Sequence, residues 1–181
     1  MSKTQVIFSV GRGNYSFDSL YVRAVEVKPD VKLLPGAPEC ISGLVDLRGE
    51  LVPILDLHKK FNTGLTSAAD ADVIFVNTSE GCLGCTVDKV IEIGAVTEDL
   101  EIELPYLIRT TATEYVAEIV SYKDGLVTAI NQDKLLSDEE KAALKKVFDK
   151  AKKKAEKDAE KKAAKEAEKA AAEAAKEENN E

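Results

Sequence analysis

The chain of 181 residues contains no tryptophan, a single histidine, a single methionine and three cysteines. Each scarcity excludes something. One histidine rules out a metal site built on several imidazoles, and a Ser-His-Asp triad would have to use His58. Three cysteines, an odd number, suit a reducing compartment better than a disulfide framework. No apolar run approaches the ~20 residues of a membrane helix, and Met1-Ser2-Lys3-Thr4-Gln5 lacks the apolar core of a signal peptide. Basic charge is short as well: 25 Lys+Arg face 33 Asp+Glu, a formal net charge of -8. That argues against nucleic acid, whose binding starts from neutralised phosphates. Hydrophobic residues make up 44% of the chain, enough to build a core in a chain of single-domain length.

The composition changes near residue 150. Residues 151–181 carry nine lysines against nine acids, so the whole net charge belongs to residues 1–150. No Leu, Ile, Val, Phe, Tyr or Met follows Phe148. The tail is built of helix formers with little apolar area to bury, and its alanines recur every four residues, a spacing that drifts around a helix instead of forming one stripe. The expected division is therefore a folded domain over 1–150 and a solvated, helical or disordered tail over 151–181. Just before it, Ser137-Asp138-Glu139-Glu140 has the form of a capping box, and Leu144, Val147, Phe148 and Ala151 follow on one helical face. A helix is expected from about 138.

Upstream the signals are for strands: Gln5–Val10, a turn at Gly11-Arg12-Gly13-Asn14, then Tyr15-Ser16-Phe17, Val22–Val27, Leu51–Leu55, Val73–Val76, Leu83–Val87, Val90–Ile93, Val116–Tyr122 and Leu126–Ile130. Pro53 favours an edge or a strand end. Many short strands with Gly, Pro and Asp between them imply an all-β barrel or sandwich, and the lack of intervening helices argues against a parallel α/β sheet.

Few residues invite chemistry. Cys82-Leu83-Gly84-Cys85 is a CxxC, but it lies on a strand, where residues three apart point to opposite faces. Zinc would need two further ligands, with only Cys40 and His58 available. The expectation is buried, unreactive cysteines, with a redox or zinc protein as the alternative. His58 reads as a surface histidine near Asp56, and Gly11-Arg12-Gly13 as a turn, not a dinucleotide loop. No catalytic constellation emerges, no cofactor is implied, and the chain is expected not to be an enzyme.

The informative stretch runs from Pro38 to Leu57: a strand, a turn at Arg48-Gly49 and a return strand. Gly49 permits a tight turn. Arg48 at its tip is either paired within its own domain or free to grip a partner's carboxylate. From Gly43 to Leu57 this stretch resembles the CheW-like domain of bacterial chemotaxis adaptors, whose pattern is G-x-x-N-L-R-G-x-x-x-P-x-x-D-L. The opening Val6–Val10 and Tyr15–Asp18, the segment Leu83–Val90, and the strands from Tyr115 to Ile130 extend the likeness over about residues 5–148.

The resemblance implies an all-β fold of two SH3-like five-stranded β-barrels packed side by side, closed by a C-terminal helix. It also implies a non-enzymatic cytoplasmic scaffold that binds the regulatory domain of the histidine kinase CheA and the cytoplasmic tip of chemoreceptors, in arrays at the inner membrane and without inserting into it. Arg48 matches the family arginine of kinase and receptor coupling, with Gly43 and Gly49 the turn glycines beside it. Val22, Val73 and Gly84 fall at receptor-tip or neighbouring partner positions. Three residues depart from the pattern: Asp46 for Asn, His58 for Arg, and Ala24 for a glutamate thought to pair with the arginine. Glu26, two residues along the same strand face, is the expected substitute for that acid. The departures keep a second reading open, a paralogue serving a different receptor–kinase pathway such as surface motility.

Overall fold

The computed structural model describes residues 2–27, 29–68, 70–97, 101–102, 113–123 and 125–150. They form eleven strands in two sheets. β1 (Ser2–Val10), β2 (Gly13–Asp18), β8 (Lys89–Thr97), β9 (Glu101–Ile102), β10 (Val116–Tyr122) and β11 (Gly125–Ile130) build one sheet, in the order β8-β1-β2-β11-β10-β9. β3 (Val22–Val27), β4 (Ile41–Leu47), β5 (Glu50–Asp56), β6 (Asp72–Thr78) and β7 (Gly81–Val87) build the other, in the order β3-β6-β7-β5-β4. The second barrel is thus inserted whole between β2 and β8 of the first. These are the two SH3-like barrels expected; the first gains a sixth strand only through the two-residue β9, which the sequence did not reveal.

Period-two patterning makes each interior. Val45 and Leu47, Val52 and Ile54, and Val73 and Phe75 are alternate residues of β4, β5 and β6 that form one buried cluster, with Ala24, Val31 and Cys82 packed against it. Ile7, Val96, Val120 and Val127, with Tyr122, fill the first barrel. The opposite faces of β1 (Val6, Phe8, Val10), β6 (Ile74, Val76) and β7 (Leu83, Cys85, Val87) are buried too. Strands with two covered faces read as continuous apolar runs, as Val6-Ile7-Phe8 does. A stack of rings runs from Phe17 through Phe8 and Tyr15 to Phe61 and Tyr115, with centroids 4.7–6.2 Å apart, and joins the β1–β2 hairpin to the inserted barrel.

Two expectations change. Pro53 is not on an edge, since β5 lies between β7 and β4. It is tolerated there because pairing with β7 begins only at Ile54. Leu44, opposite Pro53, also turns its own N–H and C=O away to Lys32, so the pair exchanges no ladder bond. His58 is not a surface residue. Asp56 caps a short helix, α1 (Leu57–Lys60), by accepting the N–H of His58 at 2.9 Å and of Lys59 at 3.4 Å. The turn carries the imidazole inward, where it is 2% exposed. Its Nε2 meets Asp88 Oδ1 at 2.7 Å and its Nδ1 meets the Thr63 hydroxyl at 2.8 Å. Asp88 Oδ2 accepts the N–H of Gly11 at 2.6 Å, so the network ties α1 to the β1–β2 turn and the β7–β8 crossover.

The described chain divides into two compact units, Met1–Lys141 and Ala142–Glu181. The first contains both barrels and the capping box, which is reciprocal as expected: Ser137 Oγ accepts the N–H of Glu140 at 3.2 Å and Glu140 Oε2 accepts that of Ser137 at 2.7 Å. In the second, residues 142–150 are helical, with Leu144 buried, Val147 and Phe148 half-buried, and Lys145, Lys146, Asp149 and Lys150 exposed. Ala151 and the tail expectation lie outside the described residues.

The His58 network sets the first test. His58→Ala removes a buried ring and strips Asp88 and Thr63 of their partner, and should lower the unfolding free energy by about 2–4 kcal/mol in urea titration. A loss below about 0.5 kcal/mol, the usual surface value, would contradict the buried placement.

Candidate functional site

The β4–β5 hairpin closes with Leu47 opposite Glu50, leaving Arg48 and Gly49 as its two-residue turn. Both have positive φ, 55° and 88°, the mirror-image turn that matches strand twist. Gly49 adopts this freely. Arg48, an L-residue with a side chain, does so at a cost of about 1 kcal/mol. Asp46 offsets it: its Oδ1 accepts the Gly49 N–H at 2.6 Å, an Asx-type lock that an Asn at this position would form equally. Arg48 is exposed and, among the described residues, makes no hydrogen bond or ion pair.

The other expected site residues separate into surface and support. Val22 and Glu26 are half-buried on β3, where Glu26 lies opposite Val73. No ion pair joins Glu26 to Arg48 among the described residues. The arginine–acid contact from β3 to the hairpin is instead Arg23 with Glu50, at 2.5 Å. Arg23 lies at the β3 bulge between Val22 and Ala24, while Ala24 packs against the second barrel's core. Val73 is 2% exposed within that core. Gly84 is buried opposite Ile54 and Phe75; a Cβ there would overlap the Ile54 side chain and press on Phe75 and Val73. Gly43 admits the Lys32 carbonyl into the space a Cβ would fill, which lets Lys32 pair with Leu44 beside the β4 bulge. Val73, Gly84 and Gly43 thus shape the hairpin from beneath. The Arg23–Glu50 contact was missed because it depends on the curl of the sheet, which brings β3 to the hairpin. The Asp46 lock had a local signal, Asp three residues before Gly.

All three cysteines are free. Cys82 packs against the barrel interior with Gly84, and Cys85 lies fully buried one step out of phase. Burial pushes both thiols up, and Arg23 only partly offsets it at Cys82. Redox thiols need the opposite shift. Cys40 is pushed up to about 11, first by burial and then by its hydrogen bond to Glu140. Burial also raises Glu140, but Lys60 at 2.6 Å, the Ser137 N–H and the Cys40 thiol outweigh it and hold the carboxyl below its ordinary value. Among the described residues no cluster of three His, Cys, Asp or Glu is placed to hold a metal ion, and no helix is long and apolar enough to cross a membrane.

Two small SH3-like barrels and a tight hairpin that presents an exposed arginine define a two-barrel, all-β domain. The comparisons name its kind. The model of the CheW-like domain matches residues 5–140, and the chain belongs to the CheW family. It is 31% identical over 143 residues to the chemotaxis protein CheW of Klebsiella aerogenes, covering 78% of this chain and 86% of that one. It is 26% identical over 140 residues to the CheW of Treponema pallidum, covering 75% and 82%. The crystal structure of the scaffolding protein TtCheW from Thermoanaerobacter tengcongensis superposes with a TM-score of 0.69 at 30% identity, over 75% of this chain and 92% of that chain. The chain is a chemotaxis scaffold adaptor of this family.

The Cys40 environment sets a pH test. A thiol raised from 9.0 to about 11 in the folded state favours folding while it stays protonated. That contribution is complete below about pH 9 and is lost as the pH climbs through about 11. Cys40→Ala should therefore lose less stability than wild type between pH 9 and 11 in urea titrations. Parallel declines would contradict the shift.

Proposed function

We propose that this adaptor couples chemoreceptors to a CheA-type histidine kinase, binding the kinase's regulatory domain and the receptor's cytoplasmic tip without catalysing a reaction. The observation that carries the reading is Arg48: exposed, unpaired and held at a fixed place by Asp46 and Gly49 on a hairpin that matches the family pattern. A guanidinium on a fixed turn is placed to make bidentate contact with a partner's carboxylate. Exposed apolar side chains lie on β5, with Leu51 51% exposed, and on β3, with Val25 43% exposed and Val22 half-buried. Apolar side chains beside one charged anchor fit the anatomy of a protein interface. Val73, Gly84 and Gly43 support this surface from below, and Glu26 is a further acidic contact from β3.

In this reading residues 1–150 are the working domain and 151–181 an Ala/Lys/Glu-rich tail, and the protein acts in the cytoplasm, recruited to receptor arrays at the inner membrane. A second reading, an adaptor for another receptor–kinase set such as surface motility, is favoured by Ala24 and by the Arg23–Glu50 contact near the hairpin. His58 no longer supports it, since it joins the barrels internally.

The test is a titration against the regulatory domain of the CheA-type kinase from the same organism. Arg48→Ala should weaken binding about tenfold, and Arg48→Glu should abolish it by setting acid against acid. Binding indifferent to Arg48 would move the site elsewhere. Binding only to a different kinase of the organism would favour the second reading.

A further inference from the structure

The β4–β5 hairpin carries four charged side chains: Asp46, Arg48, Glu50 and Asp56. Three are committed. Asp46 locks the turn through Gly49, Asp56 caps α1, and Glu50 is held by Arg23. Of the four, only Arg48 makes no hydrogen bond or ion pair among the described residues. Glu50 stands two residues away on the same hairpin, its side chain 48% exposed. A loose Glu50 would be free to pair with Arg48 or to repel an approaching carboxylate. Arg23 prevents both. Its guanidinium is held by Glu50, at the edge strand where the barrel curls toward the hairpin.

We propose, resting on the adaptor reading above, that Arg23 is a specificity-determining residue of this site: by holding Glu50 it keeps Arg48 uncommitted, so that the site selects a partner surface offering a carboxylate. An exposed ion pair such as Arg23–Glu50 adds little stability. Its effect lies in what it withholds. A partner's acid meets an arginine that has no internal bond to break and a neighbouring Glu50 already neutralised by Arg23, which raises affinity for that partner and penalises surfaces without the carboxylate.

The experiment uses the full chain and the kinase regulatory domain. Arg23→Ala should weaken binding about fivefold, and adding Glu50→Gln should bring it back to within about twofold of wild type. Unchanged binding by Arg23→Ala overturns the proposal. So does a loss that persists in the double variant, since Arg23 would then touch the partner or support the fold. A partner-free readout runs beside it: the nitrogen-15 NMR signal of the Arg48 side-chain Nε–H. Arg23→Ala should shift that signal as Glu50 takes up Arg48, and Glu50→Gln should reverse the shift; an unmoved signal also overturns the proposal. Failure of the wild-type chain to bind the kinase domain overturns the adaptor reading and the selection that rests on it, while the NMR signal still decides whether Arg23 keeps Glu50 from Arg48.

Discussion

Asp88 sits where the chain leaves the inserted barrel for the first one, and its carboxylate is shared. One oxygen meets His58 Nε2 at 2.7 Å and the other accepts the Gly11 N–H at 2.6 Å. Because the second barrel is inserted between β2 and β8, two chain crossings connect the barrels, and this acid lies at one of them. Its backbone N–H also bonds Ser9 O at 3.0 Å. The buried imidazole of His58 would be costly to leave unpaired, and the partly exposed Asp88 carboxylate satisfies it. The ring stack from Phe17 to Tyr115 adds apolar area to the same junction. Together they give the hairpin a fixed base, which a scaffold needs because its product is geometry.

On that base, the β4–β5 hairpin concentrates its charges for different purposes. Asp46 stabilises a turn that places Arg48 in a left-handed conformation. Asp56 starts α1 and thereby turns His58 inward toward Asp88, so the same strand that carries the site also ties it to the other barrel. Glu50 is taken by Arg23. The free guanidinium at the tip is what remains after the other charges have been assigned.

Much of this was legible from local signals. Strand positions followed from alternation and from Gly and Asp punctuation, and the capping box at Ser137 formed as read, because each depends on residues a few positions apart. The Arg48-Gly49 turn was legible for the same reason. What escaped depended on tertiary closure. His58 looked like a surface residue because its partners, Asp88 and Thr63, are supplied by other segments. Pro53 looked like an edge residue because nothing in the sequence shows where pairing with β7 begins. Glu26 was read as the acid nearest in role to Ala24, whereas the structure brings Arg23, at a bulge, to Glu50. Val73 and Gly84 were read as receptor-tip or neighbouring partner positions, whereas the structure buries both in the second barrel.

The central claim is that this chain connects receptor state to kinase activity. The most direct measurement is the autophosphorylation rate of the CheA-type kinase on membranes bearing the organism's chemoreceptors, with and without this protein. The account predicts that the rate responds to receptor ligand only when the chain is present, and that Arg48→Glu removes the response while the kinase alone retains its basal rate. An equal response without the chain would contradict it.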